Sequence, residues 1–268
     1  MVKPVRGDAD KTDKRSAAGD SAPAAAHGKS GGFVDLLKTV VYAVLIAVVI
    51  RTFAFEPFNI PSGSMIPTLL VGDYLFVSKY PYGYSRYSLP FGLPVISGRI
   101  LGAQPERGDV VVFKLPSDNK TDYIKRIIGL PGEEIQLKGG IVHINGKPVE
   151  RVPTGTYTIP GGNGAGRGVQ LYRETLPNGV SHSIIEMTDA GPYDNTGVYK
   201  VPPGHFFAMG DNRDSSRDSR FLGEVGYVPL ENLVGRAEFI FFSIDGSPLR
   251  VWEWFQTVRF SRLFSAIP

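Results

Sequence analysis

Ser64 is the first residue of the chain whose setting invites chemistry. It stands in "PSGSMIPT", Pro61 to Thr68, between Gly63 and Met65, with a second hydroxyl at Ser62 and prolines at both ends. Pro, Ser and Gly are common turn residues, so the plainest reading of such a stretch is an ordinary turn. A serine hydroxyl becomes a nucleophile only beside a base. The four histidines, His27, His143, His182 and His205, belong to no recognisable triad motif such as G-x-S-x-G, and each reads better as a structural residue. No two of them show metal-ligand spacing such as H-x-x-x-H, so no metal centre is expected.

Lysine is the alternative base, provided burial keeps it neutral near pH 7. In "YIKRIIGLPGE", strand alternation puts Tyr123, Lys125 and Ile127 on one face and Ile124, Arg126 and Ile128 on the other. Lys125 then has aromatic and aliphatic neighbours that would depress its pKa, although a snorkelling surface lysine fits the same pattern. "SDNK", Ser117 to Lys120, matches S-x-x-K, but no K-T-G strand follows and the stretch reads as a polar connection. A further segment, "MGDNRDSSRDSRFLG", crowds Asp, Asn, Ser and Arg between apolar runs from Met209 to Gly223. That density suits salt-bridged buttressing of a lysine amine and its strand, with a solvated loop as the simpler alternative.

The elements that must position these groups begin after a polar, Ala/Gly/Ser-rich stretch, residues 1–32, that predicts a disordered tail. "FVDLLKTVVYAVLIAVVIRTFAF" follows, uncharged from Thr39 to Ile50 and close to the about 20 residues of a spanning helix. A buried soluble helix is the competing reading. A cleavable signal peptide fits less well, given the long polar tail and the lack of an A-x-A site. Lys3, Arg6, Lys11, Lys14, Arg15 and Lys29 precede the span, so the positive-inside rule makes the tail cytoplasmic and puts everything after Phe55 outside.

Beyond Phe55 the chain reads as β-rich, with runs such as "DYLFVSKY", "DVVVFKL", "DYIKRIIGL", "GHFFAMG" and "VGRAEFIFFSI" broken by Gly and Pro. Asn145-Gly146 signals a type I′ hairpin. Gly155 to Gly168 reads as a Gly-rich loop, and because it opens no helix it is not a phosphate-binding motif. The last segment, "VWEWFQTVRFSRLFSAIP", fits either an interfacial stretch or a helix docked on the sheet. A chain of 268 residues with 42% hydrophobic and 21% charged residues can build a sizeable core. A formal charge of +3 is too small to argue for nucleic acid, and the absence of cysteine excludes disulfides.

Four blocks, "FNIPSGSMIPTLLVGDYLFVSKYPYG", "RGDVVVFKLP", "DYIKRIIGLPGE" and "MGDNRDSSRDSR", occur in an order and at a distance from the apolar span that resemble one family. It is the type I (leader) signal peptidases, bacterial membrane-anchored Ser/Lys endopeptidases. The likeness covers Phe55 to Glu133 and about Pro202 onward; the tail is outside it and the stretch between is generic. It implies a mainly β fold in which a transmembrane helix (33–55) precedes a catalytic β domain (56–132 and 202–268). A smaller β subdomain (133–201) is inserted, and the disordered cytoplasmic tail is 1–32. Ser64 would be the nucleophile and Lys125 the general base, with the Ser62 hydroxyl and the Ser64 N–H forming an oxyanion hole. Ser216 would hydrogen-bond the lysine amine, Asp218 and Arg220 would buttress it, and Asp211 and Arg126 match further structural positions. Phe58, Ile60, Met65, Leu69, Leu75, Val112, Tyr123 and Ile124 would wall pockets for small residues at the first and third positions before the cut.

The implied partners are signal peptides of exported precursor proteins and membrane lipid, with the export translocon as a candidate neighbour, and neither cofactor, metal nor nucleic acid. The implied location is the inner (cytoplasmic) membrane, single-pass, with the N-terminus cytoplasmic and the catalytic domain on the outer, periplasmic face. A single span is a departure, since some relatives have two. Two rival readings are a self-cleaving Ser/Lys repressor-type protease and a silent, membrane-tethered β module that binds exported peptides. The first lacks its DNA-binding domain here, and the joint presence of Ser64, Lys125 and Ser216 speaks against the second.

Overall fold

A computed structural model describes residues 31–89, 96–159 and 166–268. The tail expected at 1–32 and its basic residues lie outside these, apart from Gly31 and Gly32, which open a helix. That helix, α1 (Gly31–Phe53), is the one element among the described residues long and apolar enough to cross a membrane. Its large apolar side chains are exposed, from Phe33 to Phe53, so it has no single core-facing stripe. It ends at Phe53 rather than Phe55, because Phe55 already pairs with Ser78 in the first strand.

The remainder is mainly β, as expected. In chain order come β1 (Phe55–Asn59), β2 (Asp73–Ser78), the short pair β3 (Tyr84–Ser85) and β4 (Arg99–Ile100), β5 (Val110–Lys114) and β6 (Asp122–Gly129). Next are β7 (Glu134–Lys138), β8 (Ile141–Ile144), β9 (Lys147–Pro148), β10 (Glu150–Ile159), β11 (Arg167–Thr175), β12 (Ser181–Glu186) and β13 (Tyr199–Lys200). The chain closes with β14 (His205–Met209), β15 (Val228–Pro229), β16 (Leu233–Ser243) and β17 (Ser265–Ala266). The largest sheet runs β1-β2-β16-β5-β6-β14-β15, with β17 added to β16. Between β6 and β14 the chain makes two sheets of its own, β13-β7-β8-β9 and β10-β11-β12.

Local sequence explains most of this. Val110 to Phe113 are all buried, as an apolar run in the middle of a sheet must be. Asn145 and Gly146 join β8 to β9 with φ of 51° and 77°, both positive as a type I′ turn requires. The Gly-rich loop expected from Gly155 to Gly168 is corrected at both ends. Gly155 to Ile159 belong to β10 and pair in register with β11, Ile159 opposite Arg167, because Thr156, Tyr157, Thr158 and Val169 fit a strand surface. Residues 160–165 lie outside the described residues. The C-terminal segment is not one docked helix: it makes short turns from Val251 to Thr257, then β17 pairs with β16.

Two aspects of the large sheet position the site. Among the described residues β1 is an edge strand, paired with β2 alone. β6 is paired along its whole length with β5, but β14 covers only Arg126 to Gly129 on its other side. Among the described residues the edge from Asp122 to Lys125 is therefore open.

Candidate active site

Ser64 follows β1 on a loop held from behind. Asn212 donates its Nδ2 to the Gly63 carbonyl at 3.0 Å and its backbone N–H to the Ser64 carbonyl at 3.1 Å. Gly210 makes room for this clamp, since a Cβ there would lie 2.4 Å from the Ser64 oxygen and 2.3 Å from Ser216 Oγ. Among the described residues no acceptor takes the Ser64 N–H.

Lys125 reaches the same point from β6. Its Nζ lies 2.7 Å from Ser64 Oγ and 2.8 Å from the Ile124 carbonyl, and 5.3 Å from the centroid of the Tyr123 ring. Both groups are nearly closed off, Ser64 at 8% and Lys125 at 3% exposure. Burial pulls the Lys125 ammonium down to about 8; Asp218 and Asp211 oppose this, and Arg220 adds to it. At that value an appreciable fraction is a neutral amine at neutral pH, able to take a proton from the hydroxyl it touches. No histidine hydrogen-bonds either group among the described residues: His143 and His205 pair with nearby carbonyls, and His182 faces Glu174.

Behind Lys125 stand two buried ion pairs. Arg220 binds Asp218 through Nε at 2.8 Å and Nη2 at 2.9 Å, and the Gly210 N–H donates to the same carboxylate. Arg126 binds Asp211 through Nε at 2.9 Å and Nη2 at 2.8 Å, with Thr68 Oγ1 donating to Asp211 as well. Burial alone would raise both carboxyls; the guanidiniums more than offset it and hold them below their usual range. Ser216 is buried beside this group, but its Oγ makes no hydrogen bond to Lys125. Ser62 is exposed, its Oγ 3.5 Å from Ser64 Oγ.

In front of Ser64 lies a cavity of about 630 Å³. Phe58, Ile60, Val112, Tyr123 and Ile124 line it, together with Ser62, Ser64 and Lys125. Met65, Leu69 and Leu75 do not: all are wholly buried in the core cluster behind that wall. Sequence reasoning missed Ile159, Asn212 and Arg217, which also line the cavity. Ile159 comes from β10, in the stretch that the family likeness leaves generic. The only signal for it was its place as an apolar residue beside a Gly-rich run.

The family model described as "Signal peptidase, peptidase S26" matches residues 33–242. A signal peptidase I of Rickettsia typhi is 44% identical over 242 residues, covering 83% of this chain and 89% of the relative. That of Rickettsia canadensis is 43% identical over 246 residues, covering 85% and 91%. A crystal structure of a signal peptidase I from Enterococcus faecalis is 23% identical and covers 50% of this chain and 97% of its own. Its TM-score to this chain is 0.30.

Proposed function

The chain belongs to the signal peptidase family, peptidase S26, and from that membership we propose that it removes signal peptides as a membrane-anchored Ser/Lys endopeptidase. The observation that carries the mechanism is the 2.7 Å contact between a buried lysine amine and a serine hydroxyl. Neutral Lys125 takes the Ser64 proton as Oγ attacks the scissile carbonyl. The Ser64 N–H and the Ser62 hydroxyl donate to the oxyanion that forms. The Lys125 ammonium then returns the proton to the leaving amine, and in the second half-reaction the free amine activates water to release the acyl group. Asp218–Arg220 and Asp211–Arg126 hold the lysine strand in place. Ser216, beside Gly210 and the Ser64 carbonyl, would orient the amine only after its hydroxyl turns toward Lys125, which it does not contact here.

The substrate lies extended between the end of β1 and the open edge of β6, adding a strand to both. Phe58, Ile60, Val112, Tyr123 and Ile124 then face its side chains and leave room only for small residues at the first and third positions before the cut, with Met65, Leu69 and Leu75 stiffening the wall. On this reading α1 is the anchor, 1–32 the cytoplasmic tail, 56–132 with 202–268 the catalytic domain on the outer face of the cytoplasmic membrane, and 133–201 an inserted subdomain. The exposed Trp252, Phe255, Phe260 and Phe264 favour lipid contact by the catalytic domain as well.

Incubation of the detergent-solubilised protein with an exported precursor, followed by sequencing of the new N-terminus, tests the activity. The expected product begins directly after a small residue, with a second small residue in the third position before the cut. An uncut precursor, or a cut after bulky residues, would contradict the reading.

A further inference from the structure

A second cavity, of about 600 Å³, lies beside the segment leaving α1, which contributes Arg51, Glu56 and Phe58 to its lining, and meets the first through Phe58 and Asp122. Five basic residues line it, Arg51, Lys79, Arg86, Lys114 and Lys120, against three acidic ones. The acids are largely spent. Glu56 serves two cations at once, Arg51 Nε at 2.9 Å on one oxygen and Lys79 Nζ at 2.9 Å on the other. Asp122 pairs with Lys114 at 2.8 Å. Asp118 is occupied by its own loop, accepting the backbone N–H groups of Lys120 and Thr121.

Positive charge is left over. Among the described residues the Lys120 ammonium has no carboxylate partner, and Arg86 has only Glu231, 4.0 Å away and outside the cavity lining. Lys79 is built in rather than flexible, at 2% exposure with its Nζ 2.9 Å from the Ser88 carbonyl. Burial draws the Lys79 pKa down, Glu56 opposes this and Arg51 adds to it, so a carboxylate shared with an arginine leaves the buried ammonium incompletely neutralised. An anion in the cavity would complete the balance.

We propose that this cavity binds the phosphate of an anionic phospholipid headgroup, seated beside the peptide cleft. The inference rests on reading α1 as a membrane anchor. Arg51 lies in the last turn of α1, so the cavity begins where an apolar helix of this length emerges among headgroups. Its volume lies within the range of small-molecule sites, and several converging Lys and Arg donors suit a phosphate's acceptor oxygens. A lipid held there would adjoin the end of the cleft marked by Phe58 and Asp122, away from Ser64. The headgroup layer would thereby become one wall of the path by which a membrane-borne substrate enters.

The test uses the full chain in mild detergent, titrated with phosphatidylglycerol or phosphatidylcholine and read by native mass spectrometry. Wild type should retain phosphatidylglycerol in preference to phosphatidylcholine. The Arg86→Gln/Lys120→Gln variant, which touches neither Ser64 nor Lys125, should retain it roughly tenfold or more weakly. Cleavage of a short soluble peptide should stay unchanged. Short-chain phosphatidylglycerol should displace the bound lipid, whereas inorganic phosphate at equal concentration should not. Equal retention of the two lipids, undiminished retention by the variant, or displacement by inorganic phosphate or by an acidic peptide alone would overturn the proposal. Alkaline carbonate extraction of membranes tests the anchor separately. Release of the chain by carbonate with lipid selectivity intact would fail the anchor and spare the site.

Discussion

On the proposed mechanism the Lys125 ammonium must lose its proton before Ser64 attacks, so the charge state of one buried side chain would set the working pH. Burial brings that group down to about 8 from an ordinary lysine value of 10.5. Below the folded value the amine is protonated and cannot act as a base; above it the neutral form dominates. The rate constant kcat/KM for a soluble peptide should therefore rise with pH through a limb near 8, one proton per site, and level off above it. A profile that rises instead with a midpoint near an ordinary histidine value, about 6.5, would point to a different base. Much at this scale was legible in the sequence. Strand alternation put Lys125 on the face of Tyr123. The residues around Ser64, by contrast, read alone as an ordinary turn, and only the likeness of the four separated blocks set that serine apart. Asn212 was not legible, because its hydrogen bonds to Gly63 and Ser64 join positions about 150 residues apart and a polar loop residue gives no hint of such a partner.

The segment from β7 to β13 shows what element-scale reading overlooks. The likeness leaves it generic, yet Ile159 of β10 lines the cleft and Glu174 of β11 forms a fully buried pair with Arg213 at 2.5 and 3.0 Å. His182 of β12 adds its ring between Glu174, at 3.4 Å, and Asp211, at 3.9 Å. Burial would raise the Glu174 carboxyl, but Arg213 and His182 more than offset this and hold it well below its usual range. These contacts tie the β10–β12 sheet to the segment that clamps Ser64, as does the bridge between Ile185 and Asn212. Such pairings are non-local, and periodicity reports only the face a side chain takes, never its partner. Glu174→Gln would leave the Arg213 charge buried with a neutral partner. The full chain should lose about 3–5 kcal/mol of stability, read as a lower melting temperature. An unchanged melting temperature would show that the pair contributes nothing.

For the whole molecule, the apolar run of α1 and the basic residues before it were plain in the sequence because both are matters of composition. The order of strands in the large sheet was not, since β16 lies between β2 and β5 although it follows them by well over a hundred residues. If α1 spans the membrane with the tail inside, external protease applied to spheroplasts should remove an epitope placed after Pro268 and spare one placed before Met1. The opposite pattern would reverse the orientation, and with it the access to exported precursors. The exposed Trp252 and Phe255, at 73% and 91%, predict that the part of the chain after Phe55 still partitions onto vesicles without α1. A fragment indifferent to vesicles and detergent would show that this aromatic segment serves another purpose.

On the proposed mechanism Ser64 and Lys125 act as one unit, and the most direct test compares Ser64→Ala, Lys125→Ala and the double variant in single-turnover cleavage of a precursor. Each single change should remove nearly all activity, and the double variant should be little worse than either, because neither half works without the other. All three should keep the β fold of the parent, checked by circular dichroism. Losses that multiply in the double variant, or cleavage near the parent rate by either single variant, would contradict a Ser/Lys dyad.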